Sequence, residues 1–469
     1  MEKISHVLAD FAANIKSEEI PEVVRERAKV LILDMVGVAL RSRYDAESTD
    51  SLLRAVKQLG YGSGACTVIG DTEQYSPPGA AFINGTLAHS LDFDDTHATA
   101  SLHPSAPIVP AAFAAAEMVG SDGNEVIAAI IAGYEIQIRL SLALGPRDHY
   151  NRGFHPTATC GVFGAAAAAG RIFKLTKEQI ASSFGIALSQ SAGSMQFLHE
   201  GGWTKRSHVG QAAMNGLIAA TLAKEGFKGA VDAIEGKAGF LNSYSPSPKP
   251  LKAIEKLGSY WHTMSVAIKP YPSCRYSHAP LDGIRMLAQK HEIAFTDVNS
   301  ITIGVSQTAW DIIGGPQDQK QNPKNVVDGQ FSMPFCGAVV LRQGTMGWDD
   351  YAKHLNDAST LELAGKFTTV TDAWAESEYP ANMAGIVRVK TDRGNFEEKV
   401  SVPKGEPSNF MTSIEAREKF DDLVSPYLQK NQLDELVDVL LTLDKEKSII
   451  AMLDLTRSQD STLRMAGED

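Results

Sequence analysis

The chain has 469 residues, 43% of them hydrophobic and 21% charged, and a formal net charge of −12. That is the composition of an ordinary globular protein, long enough for two domains, and its acidity argues against nucleic-acid binding. The four cysteines, Cys66, Cys160, Cys274 and Cys336, form no CxxC pair, which argues against a disulfide framework or zinc knuckle and fits free thiols in a reducing compartment.

Residues 1–20 carry Glu2, Asp10, Glu18 and Glu19 and lack the apolar segment of a signal peptide. No apolar run reads as long enough to span a bilayer, so a cytoplasmic protein without membrane contact is expected. Helices are predicted over 3–16, 21–41 and 47–58. In the second, Val24, Ala28, Leu31, Ile32 and Met35 recur at helical spacing. A short extended piece follows at 66–70.

From 78 to 240 alanine and glycine dominate, and strand signals are nearly absent. Small side chains let helices approach closely, so this stretch predicts a dense buried bundle with helices near 78–90, 106–120, 123–144, 156–172, 177–191 and 207–225. Near 262 the pattern changes. Residues 265–270 are β-like, 277–290 helical, and 298–306 alternate as a strand does. Residues 325–342 predict one amphipathic helix kinked at Pro334, and 358–366 a short helix. Residues 386–402 predict a hairpin turning near Asp392 and Gly394. After Pro403 the chain returns to helices near 412–425, 431–442 and 446–453, which need the first bundle to pack on, and residues 458–469 are expected to fray.

The expected fold class is therefore mainly α: a large discontinuous all-helical domain (1–266 and 399–469) with an inserted smaller α+β domain (267–398).

Ionisable residues concentrate at 84–108, where Asp92, Asp94, Asp95, His89, His97 and His103 lie among apolar neighbours. Burying such groups is costly unless each has a partner. A capped acidic helix end or a solvated turn is the plain structural alternative. Four further stretches stand out. In 153–160, His155 precedes Pro156 at a helix N-terminus, where the dipole disfavours its protonated form; it is a base or donor, or simply a cap. In 201–210, Lys205 and Arg206 lie in a glycine-rich turn before a helix, suited to an anion or merely solvated. In 268–278, Lys269 and Arg275 flank two prolines at the proposed domain junction, which makes a rigid site or a stiff hinge. Phe331 and Phe335, in 330–336, read as core.

No GxSxG elbow, Walker loop or GxGxxG after a strand is present. Histidine, lysine and arginine with one or two aspartates suit a substrate with several carboxylates. Cations hold the carboxylates while an imidazole or carboxylate moves a proton beside one of them.

The motifs NGTLAHSLDFDDTH…LHPS (84–105), GFHPTAT (153–159), WTKRSHVGQAA (203–213), KPYPSCRYSH (269–278) and QFSMPF (330–335) resemble, in this order, those of the MmgE/PrpD family. That family includes 2-methylcitrate dehydratase, cis-aconitate decarboxylase and iminodisuccinate epimerase. The resemblance covers nearly the whole chain. It implies a helical domain built from both chain ends, an inserted lid, a cleft between them, a homodimer, and no metal or organic cofactor. By motif position the family's site residues fall on Asp92, Thr96, His103, His155, Lys205 and Lys269. Arg275 is added as a carboxylate binder by its chemistry, and Ser277 and His278, in the same stretch, as substrate-binding candidates. One departure is Phe335, where members often have tyrosine.

The leading expectation is a cofactor-free lyase on a di- or tricarboxylate. Dehydration of a 2-methylcitrate-like hydroxy acid is favoured, with His103 or His155 moving the proton and Asp92 orienting an imidazole. Decarboxylation or epimerisation through the same carbanion is the alternative. A metal-dependent enzyme, with Asp92, Asp94 and Asp95 on Mg²⁺ or His97 and His103 on a transition metal, is a different class. A carboxylate-binding protein without turnover, motivated by Phe335, is the last.

Overall fold

The computed structural model describes residues 3–458. It is mainly helical and divides into two compact units, one formed by the chain up to Ala267 and again from Ala416, the other by Ile268–Glu415. The fraying expected at 458–469 lies outside the described residues except for Ser458, which is buried and donates to the Tyr427 carbonyl.

The first unit packs helices Glu22–Asp45, Pro77–Ala88, Ser105–Val119, Gly123–Leu144, Pro156–Ile172, Lys177–Leu188 and Thr204–Lys224 about one another. Every residue of Pro156–Ile172 is buried, as an all-round small apolar helix must be. Gly123–Leu144 is long and apolar enough to cross a membrane, contrary to the expectation that no run is, yet 94% of its apolar window is buried inside the protein, so it serves as a core helix. The returning helix Lys430–Leu441 buries Leu433, Leu436, Val437 and Leu440, a single helical face.

One glycine pair decides how the site is assembled. A Cβ on Gly85 would lie 2.8 Å from the Gly210 Cα, and one on Gly210 would lie 2.3 Å from the Phe82 carbonyl oxygen. Helices Pro77–Ala88 and Thr204–Lys224 therefore touch backbone to backbone. The polar stretch that leaves the first helix at His89 meets residues at the start of the second.

The second unit holds a four-stranded sheet in the order Phe367–Thr371, Val298–Val305, Gly385–Thr391, Gly394–Val400. The first pair is parallel and the others antiparallel. The hairpin turns between Thr391 and Gly394. Helices His278–His291 and Met333–Gln343 cover the sheet with Leu281, Ile284, Phe335 and Val339 in a common core. The edge strand Phe367–Thr371 was not anticipated; its run of threonines carries little alternation.

Two sequence expectations change. Residues 325–342 are not one kinked helix but two, Val326–Gln330 and Met333–Gln343. The Ser332 side chain accepts from Phe335 N at 3.0 Å, starting a new helix whose first turn holds Pro334, where a missing N–H costs nothing. The chain also rejoins the first unit at Ala416 rather than near 399. The loop after the hairpin is tied to the second unit: Ile268 N donates to Gly405 O at 3.1 Å, and Lys404 N to Asp282 Oδ2 at 2.6 Å.

Candidate active site

The site begins where helix Pro77–Ala88 ends. Ser76 caps its start by accepting from Gly79 N, and the chain then enters a short irregular loop. Asp92 takes φ 53°, the left-handed region that aspartate tolerates better than most residues. Further on, Thr96 pairs with Ala267 through two backbone hydrogen bonds of 2.9 and 2.7 Å, and His97 N donates to Leu102 O. Helix Ser105–Val119 follows.

The three aspartates of this loop go to different partners. Asp92 Oδ1 is 2.6 Å from Lys205 Nζ. Asp94, fully buried, accepts from His89 Nδ1 at 2.7 Å. The same Asp94 Oδ2 lies 3.2 Å from His103 Nδ1, close enough for an ion pair but not aligned for a hydrogen bond. Asp95 accepts from Ser105 Oγ at 2.5 Å, and Ser105 in turn contacts the Tyr134 hydroxyl at 2.6 Å.

Two imidazoles, His89 and His103, meet Asp94, and two more, His155 and His208, continue from His89 in a chain of ring contacts. Ring centroids are 4.5 Å apart for His89 and His103, 5.7 Å for His89 and His155, and 5.7 Å for His155 and His208. His155 is the N-cap of Pro156–Ile172, and its ring makes no capping bond. His89 Nε2, Asp94 Oδ1, Thr96 Oγ1, His155 Nδ1 and His208 Nδ1 are buried without a hydrogen-bond partner. Such atoms are scarce in folded proteins because each forfeits its hydration. Five of them lie around one loop, which makes it a candidate binding site.

Burial and charge set the protonation states. Burial lowers His89 to about 4 against the pull of Asp94. It also lowers His155 well below the usual range, helped by His89 and Lys205. Burial would raise Asp94, but His103 and His89 outweigh it and hold the carboxyl well below the carboxylate range. Burial pushes Asp95 up to about 8. Lys205 is raised, since Asp92 more than offsets burial. At neutral pH the loop thus carries an ionised Asp94, a protonated Asp95, neutral His89 and His155, and a charged Lys205.

Among the described residues, His89, Asp94 and His103 are the group whose donor atoms, all within 4.8 Å of one another, could hold a metal ion. It differs from the sets considered from sequence, because Asp92, Asp94 and Asp95 diverge.

The remaining candidates lie in the second unit. Lys269 is buried. Arg275 Nε donates to Glu406 Oε1 at 2.5 Å and Nη2 to Glu406 Oε2, a forked pair already in place. Ser277 Oγ donates to Cys274 O at 2.7 Å, and His278 Nε2 is 3.2 Å from Ser273 O; both side chains are buried. Cys274 N donates to Gln330 O at 2.8 Å, so two of the motifs, 269–278 and 330–335, meet. Phe335 is buried in the core, its ring 6.0 Å from Tyr351 and nearly parallel.

In the first unit the fold thus brings together Asp92, Thr96, His103, His155 and Lys205. His89, Asp94 and His208 join them and were not singled out as site residues from sequence. The signal was present for the first two, since His89 and Asp94 stand in the same polar run. His208 followed Lys205 in another.

Comparison with known proteins covers nearly the whole chain. The MmgE/PrpD N-terminal domain matches residues 6–252 and the MmgE/PrpD C-terminal domain residues 271–444. A cis-aconitate decarboxylase-like protein of Aspergillus oryzae is 28% identical over 473 residues, covering 96% of this chain and 96% of that protein. The cis-aconitate decarboxylase of Aspergillus terreus is 28% identical over 474 residues, covering 96% and 94%. The human cis-aconitate decarboxylase is 30% identical over 303 residues, covering 63% and 61%.

Proposed function

The chain belongs to the MmgE/PrpD family, and from that premise we propose a lyase that acts on a di- or tricarboxylate by moving a proton beside a carboxylate, without metal or organic cofactor. The observation that carries this reading is the buried Asp94 carboxylate under His89 and His103, with unpaired imidazole nitrogens around it and Lys205 at its edge.

Decarboxylation of a cis-aconitate-like acid is placed first, because relatives that align over nearly the whole chain bear that name. The sequence alone favoured dehydration of a 2-methylcitrate-like acid, which uses the same proton position. In decarboxylation the C–C bond to the leaving carboxylate breaks. Its electron pair shifts through the adjacent double bond, and the charge settles beside a second carboxylate. His103, the partly exposed imidazole, gives its proton to that carbon as CO₂ departs. The Lys205 ammonium suits the charge that develops. In dehydration the same imidazole, neutral, takes the proton from carbon, and the imidazolium so formed returns it to the departing hydroxide, which leaves as water. His155, held neutral, is a second group for that transfer.

Proton NMR in D₂O with EDTA present tests the reading on 2-methylcitrate, citrate, cis-aconitate and iminodisuccinate. CO₂ loss, water loss or deuterium exchange without net change would identify decarboxylase, dehydratase or epimerase. Inactivity that EDTA alone causes would sink the metal-free part, and silence on all four with or without EDTA would sink the assignment to these acids.

A further inference from the structure

Two imidazoles meet one carboxylate oxygen. Nδ1 of His89 stands 2.7 Å from Asp94 Oδ2 and Nδ1 of His103 stands 3.2 Å from the same atom. The Asp94 and His89 side chains are 0% exposed, and that of His103 is 16% exposed. Asp94 Oδ1 has no hydrogen-bond partner, so no second donor draws the carboxylate away. Asp92, the neighbouring acid of the same run, is held by Lys205.

An ionised carboxylate only accepts hydrogen bonds. A neutral imidazole turned toward it must present its N–H there, which leaves the other ring nitrogen with a free lone pair. His89 has the shorter bond and no access to solvent, so it anchors the carboxylate. His103 has the access and the looser contact. A small ring rotation would align its Nδ1–H with Oδ2, and catalytic hydrogen bonds often tighten in this way only when substrate is bound.

We propose that Asp94 is a positioning residue that fixes His103 in the Nδ1–H tautomer, so that Nε2 exchanges the substrate proton, with His89 as the donor that keeps Asp94 in place. This rests on the lyase reading above and names the residues that prepare its proton-transfer group. Neither Asp94 nor His89 needs to touch substrate. As Nε2 gives up its proton to carbon, His103 passes from imidazolium to neutral imidazole, and Nδ1–H stays on Asp94 throughout. The carboxylate supports the cationic form without itself taking the proton.

The test has two arms. Protein labelled with ¹⁵N in its histidine rings, free of substrate, is examined by long-range ¹H–¹⁵N correlation, with the His103→Gln variant assigning the signals. At a pH high enough for the ring to be neutral, His103 is expected as the Nδ1–H tautomer; an Nε2–H tautomer overturns the proposal. The second arm is kinetic. Asp94→Asn, whose amide can turn an N–H toward the ring, is expected to lower kcat by about 100-fold or more while KM stays within about threefold. His89→Gln, which can still donate to Asp94, is expected to keep kcat within about tenfold of wild type. An Asp94→Asn protein with near wild-type kcat overturns the proposal. Should Asp94→Asn fail to fold, the wild-type tautomer still decides. Should the wild type turn over none of the acids, the lyase reading fails separately, because the tautomer is read without substrate.

Discussion

Lys419 Nζ lies 2.6 Å from Asp34 Oδ1, and both side chains are 5% exposed. The same ammonium donates to the Phe93 carbonyl at 2.9 Å and sits 3.9 Å from the centre of the Phe93 ring. A cation from the returning C-terminal helix thus holds the backbone between Asp92 and Asp94. Lys419→Met would leave Asp34 buried without its counter-ion. Loss of one partner of a buried pair costs roughly 3–5 kcal/mol, so a large drop in Tm is expected. Activity per folded molecule should fall as well, since the Asp92–Asp95 loop loses its tether. A variant with unchanged Tm and kcat would show that the clamp is dispensable.

Gly210→Ala should act through packing alone. The added Cβ would stand 2.3 Å from both the Phe82 carbonyl oxygen and the Thr86 Oγ1, too close for either helix to ignore. Overpacking of this kind costs about 1–3 kcal/mol, readable by urea denaturation. Because the helix that shifts carries Lys205 and His208, KM should rise along with the loss of stability.

Buried neutral histidines predict a loss of stability on acidification. His149 is lowered to about 4 by burial, partly opposed by its bond to the Tyr244 carbonyl. His262 is lowered to about 4 by burial and by Arg139. In the unfolded chain both titrate near 6.5, so between about pH 6.5 and 4 the unfolded state binds more protons than the folded one. Their contribution is complete above about 6.5 and is lost as pH falls toward 4. For fully buried His149 it is on the order of 3 kcal/mol. Urea midpoints at pH 7 and pH 5 measure it, and His149→Gln should flatten the difference.

Asp95 carries the opposite sign. Burial raises it to about 8 in the folded protein, against about 3.9 unfolded. Its stabilising protonation is complete below about 4 and is lost as pH rises through 8. Asp95→Asn, a neutral residue of the same shape beside Ser105 and Tyr134, should therefore gain stability relative to wild type at pH 8.5 compared with pH 6. Equal effects at the two pH values would argue against a protonated Asp95.

Asp92→Asn and Lys269→Ala test the substrate-site roles proposed for these two residues. Each removes a charge placed at that site by the family resemblance, and Asp92→Asn also leaves Lys205 without its 2.6 Å partner. Either should lower kcat/KM by about 10- to 100-fold on the true substrate. Near wild-type values in both would show that the site residues have been misassigned.

The sequence by itself determined the helical class, the family and the loop where the chemistry gathers, because these depend on local properties. Helical periodicity, long alanine and glycine runs, and the spacing of motifs are all legible within a few tens of residues. The same locality explains two misreadings. Pro334 reads as a kink until the Ser332 cap shows that it starts a helix, and whether an apolar helix as long as Gly123–Leu144 is a membrane span or core is decided only by its burial. Only the tertiary structure decided which aspartate does what. In the run Asp92, Asp94, Asp95 the three acids are chemically alike. Their roles come from Lys205, His103 and Ser105, and from the clamp by Lys419, whose bond to Phe93 spans 326 residues of sequence. A carboxylate's behaviour is set by the charges and donors packed against it, and which ones reach it depends on helices brought into contact by residues such as Gly85 and Gly210.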